Sequence, residues 1–401
     1  MSDFQPAARV ERIKPSPSTA AAARARELKA EGRDIVDMTV GEPDFDTPDA
    51  IKEAGIVAIR AGDTKYTPVN GTLALRRAIA GRLQRHTGHA YPLDAITAGG
   101  GGKQIIFLAL MASVDNQAEV IIPAPYWVSY PDMVLANEGK PVIVTCPEAD
   151  GFKLKPEALE AAITPRTRWL ILNAPSNPTG ATYSRAELEA LAAVLQRHPH
   201  VWVLTDEIYD EIWFGEGKAV SLVEAAPSLV DRIFLVNGVS KSYAMTGWRI
   251  GYGAGPAPLV AAVNKLQSQI SSCPSSISQA AAAAALDGDQ AFIIDSVAAY
   301  RRRRDIAVER LNAIDGISCT APEGAFYLFV NCAGLIGKTA PDGRKITNDF
   351  DFVLYLLDCG VAAIQGAAYG LSPYFRLSIA TSEAQIEKAC ALIAKACAAL
   401  S

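Results

Sequence analysis

Short apolar runs that recur between amphipathic stretches constrain this chain more than any other feature. Residues 119–123, 168–172, 201–204, 233–236 and 249–252 are apolar-rich and bounded by turn residues, as buried strands are. Between them, residues 185–196 set Leu188, Leu191, Ala192 and Leu195 at three- and four-residue spacing, which is one face of a helix. Such alternation predicts an α/β domain built on a largely parallel sheet. After about residue 300 the pattern changes. A charged helix over 300–311, strands over 325–330 and 374–379, a helix over 350–357 and a closing helix from Glu383 predict a smaller α+β domain. The first 45 residues, with turn-like Lys14-Pro15-Ser16-Pro17 and the run 41–48, read as arm and loop able to pack on that domain. The expected division is 1–48 for the arm, 49–300 for the large domain and 301–401 for the small one.

A chain of 401 residues, half of them hydrophobic, can bury a large core. Its net charge of −5 and lack of a long basic run argue against nucleic acid as a partner. Arg301 to Arg304 read as the solvated part of a helix. Seven scattered cysteines without a Cys-x-x-Cys pair oppose a disulfide framework or zinc site and fit reduced thiols in the cytoplasm. Four histidines, in the polar stretches 86–89 and 198–200, leave no metal site expected. The start lacks a secretory pattern, and no apolar run approaches the roughly 18 to 20 residues that cross a bilayer. A soluble, cytoplasmic protein is expected, with no membrane partner.

Chemistry concentrates in residues 237–252. Lys241 stands among small and apolar residues, where desolvation favours a neutral, nucleophilic amine. Eight residues on, Arg249 offers a planar fork for a phosphate ester. An amine for an aldehyde and a fork for a phosphate point to pyridoxal 5′-phosphate; taken alone, the pair also reads as an exposed lysine and a salt-bridged arginine. Asp206 follows an apolar strand, where ligands of open α/β sheets bind, and could keep a pyridinium nitrogen protonated. Tyr209 could donate to a phenolic oxygen. A helix cap is the other reading of Asp206. The prolines and glycine of 173–180 can aim the Asn177 amide at a ligand. Glycines 99–102 and Lys103 open a helix, a weak anion-binding signal by itself. Trp127 can stack on a flat ring or fill a core. In 374–379, Phe375, Leu377 and Ile379 share one face; Arg376 points the other way, either into solvent or onto a substrate carboxylate.

These residues resemble a fold-type I PLP enzyme of the class I aminotransferases, and more closely the bacterial aspartate/prephenate aminotransferase subgroup. The likeness spans about 12–394, through the runs 41–48, 64–68, 101–104, 125–131, 175–180 and 240–251. It implies a large domain with a mostly parallel seven-stranded sheet flanked by helices, plus the smaller α+β domain. It also implies that Lys241 joins the cofactor aldehyde and shuttles the α-proton. Asp206 would meet the pyridine nitrogen, Tyr209 and Asn177 the phenolic oxygen, and Trp127 the ring face. Gly101, Gly102, Lys103, Ser240 and Arg249 would hold phosphate, with Tyr66 donated by the neighbouring subunit of a homodimer. Substrate would meet Arg376, Asn177, Trp127 and the Gly41 backbone. Lys103 and Lys14, the latter near Ser16 and Thr19, would recognise dicarboxylates or prephenate.

The implied reaction is a ping-pong transfer from L-aspartate or glutamate to a 2-oxo acid such as 2-oxoglutarate, oxaloacetate or prephenate. Three departures bear on this. Gly238 replaces a common phosphate-binding serine, and the segments 362–370 and 279–286 differ from the usual pattern, with consequences expected at the site entrance. An aromatic or broad-specificity aminotransferase, or a C–S lyase acting on cystathionine, remains an alternative on the same fold. A non-catalytic PLP-binding regulator fused to a DNA-binding module is not expected, since the sequence opens almost directly on the arm.

Overall fold

The structure, a computed structural model, describes residues 4–15 and 17–401. Twelve strands, numbered in chain order, occur among the described residues and form three sheets. β1 (Val36–Asp37) belongs to a two-stranded sheet. β2 (Ile96–Gly99), β3 (Glu119–Ala124), β4 (Lys140–Thr145), β5 (Thr167–Asn173), β6 (Trp202–Asp206), β7 (Ile233–Gly238) and β8 (Gly251–Ala254) build a seven-stranded sheet. Its order is β2-β8-β7-β6-β5-β3-β4. Strands β4, β3, β5, β6 and β7 run parallel, and β8 runs antiparallel to both β7 and β2.

Period-two alternation explains why these runs are continuously apolar. Leu170, Leu172, Val203, Ile233 and Leu235 enter the core on one face of the sheet. Trp169, Ile171, Leu204, Phe234 and Val236 enter a second core on the other. Helices cover both faces. The predicted helix over 185–196 is Arg185–Arg197, started by a Ser184/Glu187 capping box and burying Leu188, Leu191, Ala192, Val194 and Leu195.

β9 (Tyr327–Asn331), β10 (Val361–Ala362), β11 (Ile364–Gln365) and β12 (Tyr374–Ser378) carry the C-terminal region. β9, β12 and β11 form an antiparallel sheet, and β10 pairs with β1 in parallel. The arm packs on the C-terminal region, with Ala25, Leu28 and Ile35 against Ala362. Read from sequence as arm and loop, it also contains the helix Pro17–Ala30. Its alanine run hides the apolar spacing that would have marked it.

Two further differences have local causes. The strand predicted over 249–252 starts only at Gly251, because Arg249 takes a left-handed conformation with φ 58°. The helix predicted over 300–311 is Ala291–Asn312, so it runs through residue 300, where the large and small domains are proposed to divide. Arg303 within it is buried rather than solvated, gripping Asp44 through two bonds of 2.8 and 2.9 Å. Among the described residues no helix is long and apolar enough to cross a membrane.

Candidate active site

Parallel strands leave their carboxyl ends along one edge of the sheet. β5 ends at Asn173 and β6 at Asp206, while β7 runs on through Gly238 to Ser240 and Lys241. A cavity of 520 Å³ opens there, a size that suits a small-molecule site. The large sheet supplies Asn177, Asp206, Tyr209, Ser240 and Lys241 to its wall, and the glycine loop adds Gly102 and Lys103. Gly41, Trp127, Arg249 and Arg376 complete the set of sequence-predicted residues that meet in it.

Lys241 is half-buried, and its amine donates to the Gly41 carbonyl. Lost hydration lowers its pKa to about 8; the Glu42 carboxylate opposes this, and Arg376 and Arg249 add to it. Asp206 is buried, and desolvation raises its carboxyl to about 6. Tyr130 Oη donates to it at 2.7 Å, and the Ile208 N–H at 3.3 Å; both bonds favour the carboxylate and limit that rise. Asn173 joins two turns: its Nδ2 donates to the Asp206 carbonyl at 2.9 Å, and its Oδ1 accepts the Asn177 N–H at 2.9 Å. Tyr209 and Tyr327 share a hydroxyl hydrogen bond of 2.9 Å.

One end of the cavity is built for an anion. The helix Gly102–Ser113 begins there, preceded by Gly101 at φ 102°. That conformation favours glycine, and a Cβ would also stand 2.3 Å from Arg249 Nη2. Arg249 is held by the carbonyls of Gly100 at 3.0 Å and Thr246 at 2.9 Å. β8 presses against the same loop: a Cβ on Gly251 would lie 2.1 Å from the Gly102 nitrogen. A helix N-terminus, a guanidinium and the Ser240 hydroxyl therefore share this end of the cavity. Gly101 shapes the loop behind it. Lys103 reaches over Trp127, its Nζ 4.8 Å from the ring centroid, and burial with the nearby Arg249 charge lowers its pKa.

At the other end Arg376 is buried, stacked 4.3 Å over Tyr327 and 5.3 Å over Tyr369. Its Nη1 donates to Asn177 Oδ1 at 3.0 Å and its Nη2 to the Thr39 carbonyl at 2.7 Å. Its Nε has no partner among the described residues.

Other predicted positions lie elsewhere. Tyr66 is 90% exposed and outside the cavity lining, on a loop held by Gln279 through Thr67 Oγ1 at 2.9 Å and the Thr72 N–H at 2.7 Å. Lys14 is exposed outside the lining, and its N–H donates to Asp132 at 3.2 Å. Ser16 falls outside the described residues; Thr19 lines the cavity. A Cβ at Gly238 would come within 3.0 Å of the Ile250 carbonyl, so strand crossing leaves little room for a side chain. Neither departing segment lines the cavity: Ala281, Ala282 and Ala285 belong to a buried core, and Tyr369 lies beside Arg376.

A family model for aminotransferase class I and II matches residues 33–393. The chain belongs to the class I and II aminotransferases. Aspartate aminotransferase of Rhizobium meliloti is 53% identical over 399 residues, covering 99% of this chain and 97% of the relative. Aspartate/prephenate aminotransferase of Cereibacter sphaeroides is 52% identical over 391 residues, covering 97% and 98%. The crystal structure of the Rhizobium meliloti aspartate aminotransferase matches with a TM-score of 0.97 at 53% identity, over 99% of this chain and 100% of that one. This aminotransferase accordingly has the fold-type I architecture expected of it. Sequence reasoning missed Tyr130, Asn173 and Tyr327, which hold the predicted residues in place. Tyr130 stands in the quoted run 125–131, but only the fold reveals that it faces Asp206.

Proposed function

We propose that this aminotransferase transfers the amino group of L-aspartate or L-glutamate to a 2-oxo acid such as 2-oxoglutarate or prephenate, using pyridoxal 5′-phosphate. The observation that carries the reading is the placing of two cations, Arg376 and Lys103, in one cavity with the low-pKa amine of Lys241. Two cations suit a substrate with two carboxylates. The residues fit the cofactor: an anion end formed by Gly102, Ser240 and Arg249, a flat indole at Trp127, and a buried carboxylate at Asp206. The unpartnered Arg376 Nε fits a carboxylate guest.

In this reading the backbone of the Gly101 to Lys103 loop, Ser240 and Arg249 hold the phosphate, and Tyr66 of a second subunit completes the cradle in a homodimer. Trp127 covers the ring, Asp206 keeps its nitrogen protonated, and Tyr209 and Asn177 meet its oxygen. Bound there, the protonated pyridine ring supplies a sink for the electron pair released at the substrate α-carbon. Arg376 grips the α-carboxylate with help from Asn177 and the Gly41 backbone, while Lys103 selects for the distal acid. Gripped at both ends, the substrate turns its Cα–H toward Lys241, whose amine takes that proton. The donor leaves as its 2-oxo acid before the acceptor enters the same cavity. Scattered cysteines support a cytoplasmic setting.

The test is visible absorbance of the cofactor-loaded protein while L-aspartate alone is added. Loss of the long-wavelength band, with release of oxaloacetate, is expected; in Lys241→Ala it should fail by at least about a thousandfold. A band that persists with aspartate and yields to phenylalanine would overturn the dicarboxylate assignment. Release of ammonia and pyruvate from a cysteine conjugate without an acceptor would select the lyase.

A further inference from the structure

The turn that follows β6 has a second face. Asp206 and Tyr209, three residues apart, line the cavity. Glu207 and Asp210, offset by one, enter a buried charge cluster outside the cavity lining. There they meet Arg82 and His86, one turn apart on the helix Leu73–Thr87. Arg82 Nη2 lies 2.6 Å from Asp210 Oδ2, and His86 Nε2 lies 3.3 Å from both Glu207 Oε2 and Asp210 Oδ2. The four side chains are 7%, 6%, 4% and 2% exposed for Arg82, His86, Glu207 and Asp210. The cluster also reaches the strand that leads to Lys241. Asn237 of β7 donates Nδ2 to Asp210 Oδ2 at 3.0 Å and accepts the Gly238 N–H at 2.7 Å.

Buried carboxylates are tolerated only when their charge is matched. Arg82 matches one of the two and also approaches Glu211, at 2.7 Å. The second match falls to His86. Burial disfavours its charged form, but Asp210 and Glu207 outweigh that and raise its pKa, against opposition from Arg82. Lys218 donates to the His86 carbonyl, and the Tyr91 hydroxyl feels Glu207. The histidine and carboxylate ligand atoms lie within 4.8 Å of one another, a spacing that would suit a cation, and Arg82 occupies that role.

We propose that Arg82 and His86 are positioning residues for the aminotransferase site. By neutralising Glu207 and Asp210 on one side of the turn, they fix Asp206 and Tyr209 on the other and anchor the end of β7 before Lys241. The inference rests on the proposed cofactor reading.

The experiment compares wild type, His86→Phe, Glu207→Gln and the double variant, each loaded with pyridoxal 5′-phosphate. Three quantities are measured: the midpoint of the pH titration of visible absorbance, the Kd for the cofactor after dialysis, and kcat and KM for L-aspartate. His86→Phe leaves a buried negative charge behind Asp206. It should move the midpoint by about half a pH unit or more and lower kcat about tenfold, with KM changed less than about twofold. Removing that charge in the double variant should return both most of the way. If His86→Phe does not fold, Glu207→Gln alone carries the same test: it removes a buried negative charge, so it should move the midpoint in the direction opposite to that of His86→Phe. Arg82→Lys keeps the charge and is the control, with its midpoint expected at the wild-type value. A His86→Phe or Glu207→Gln protein that loses thermal stability yet keeps the midpoint, Kd and kcat of wild type would overturn the inference, leaving a purely structural cluster. A wild type with no visible band, or full turnover in Lys241→Ala, would overturn the underlying reading instead.

Discussion

Lys241 owes its chemistry to its surroundings. The half-buried amine loses hydration and is faced by Arg376 and Arg249, so its neutral form is populated above about pH 8 rather than near 10.5. Uptake of pyridoxal 5′-phosphate by the cofactor-free protein should therefore accelerate as pH rises and level off past a midpoint of about 8. Stopped-flow absorbance reads this directly, and a rate still climbing through pH 10 would mean a solvated lysine. Much at this scale was legible from sequence, because Asp206, Lys241 and Arg376 stand at strand ends or on the alternate face of a strand. Tyr130 was not legible as a partner. Its acceptor lies 76 residues away, and nothing local distinguishes a tyrosine that serves a carboxylate from one that fills a core.

At the scale of elements, the strands of the large sheet were readable because both their faces are buried, and the capped helix Arg185–Arg197 because its apolar spacing is regular. Charge runs were not. Arg303 sits among four consecutive arginines, yet its partner Asp44 is 259 residues distant, and burial of one member cannot be seen in a run. Its guanidinium lies 5.1 Å over Phe45, tying the loop before the large domain to the long helix Ala291–Asn312. Arg303→Met should destabilise the protein by about 2 kcal/mol, reduced from a fully buried pair because Asp44 is 26% exposed. Urea unfolding measures it; a loss below about 0.5 kcal/mol would reduce the pair to a surface contact. His86 was misread for the same reason, as part of a polar stretch.

For the whole molecule, Tyr66 is the residue expected to cross to a neighbouring subunit's phosphate, and on a single chain it is 90% exposed. Its loop is tethered by a buried glutamine, so the side chain is presented outward from a fixed base. If active sites are shared across a homodimer, subunits carrying Tyr66→Ala and Lys241→Ala should complement. Each alone is nearly inactive, while refolded mixtures regain about a quarter of wild-type activity, since half the chains pair unlike and each such pair has one intact site. Mixtures no better than the average of their parents would place Tyr66 in its own subunit's business.

The close approach of Gly251 to the Gly102 nitrogen has a consequence for how such a chain can change over generations. Even the smallest side chain there would wedge the strand away from the loop, and with it the guanidinium packed on Gly101. Variation is therefore channelled. Mutational libraries aimed at new substrates will find these glycines closed to exploration, while Thr19, Ala22 and Arg26, which line the same cavity from the arm helix, remain open to it. Novelty in this scaffold would enter through the N-terminal arm, whose helix carries those three positions.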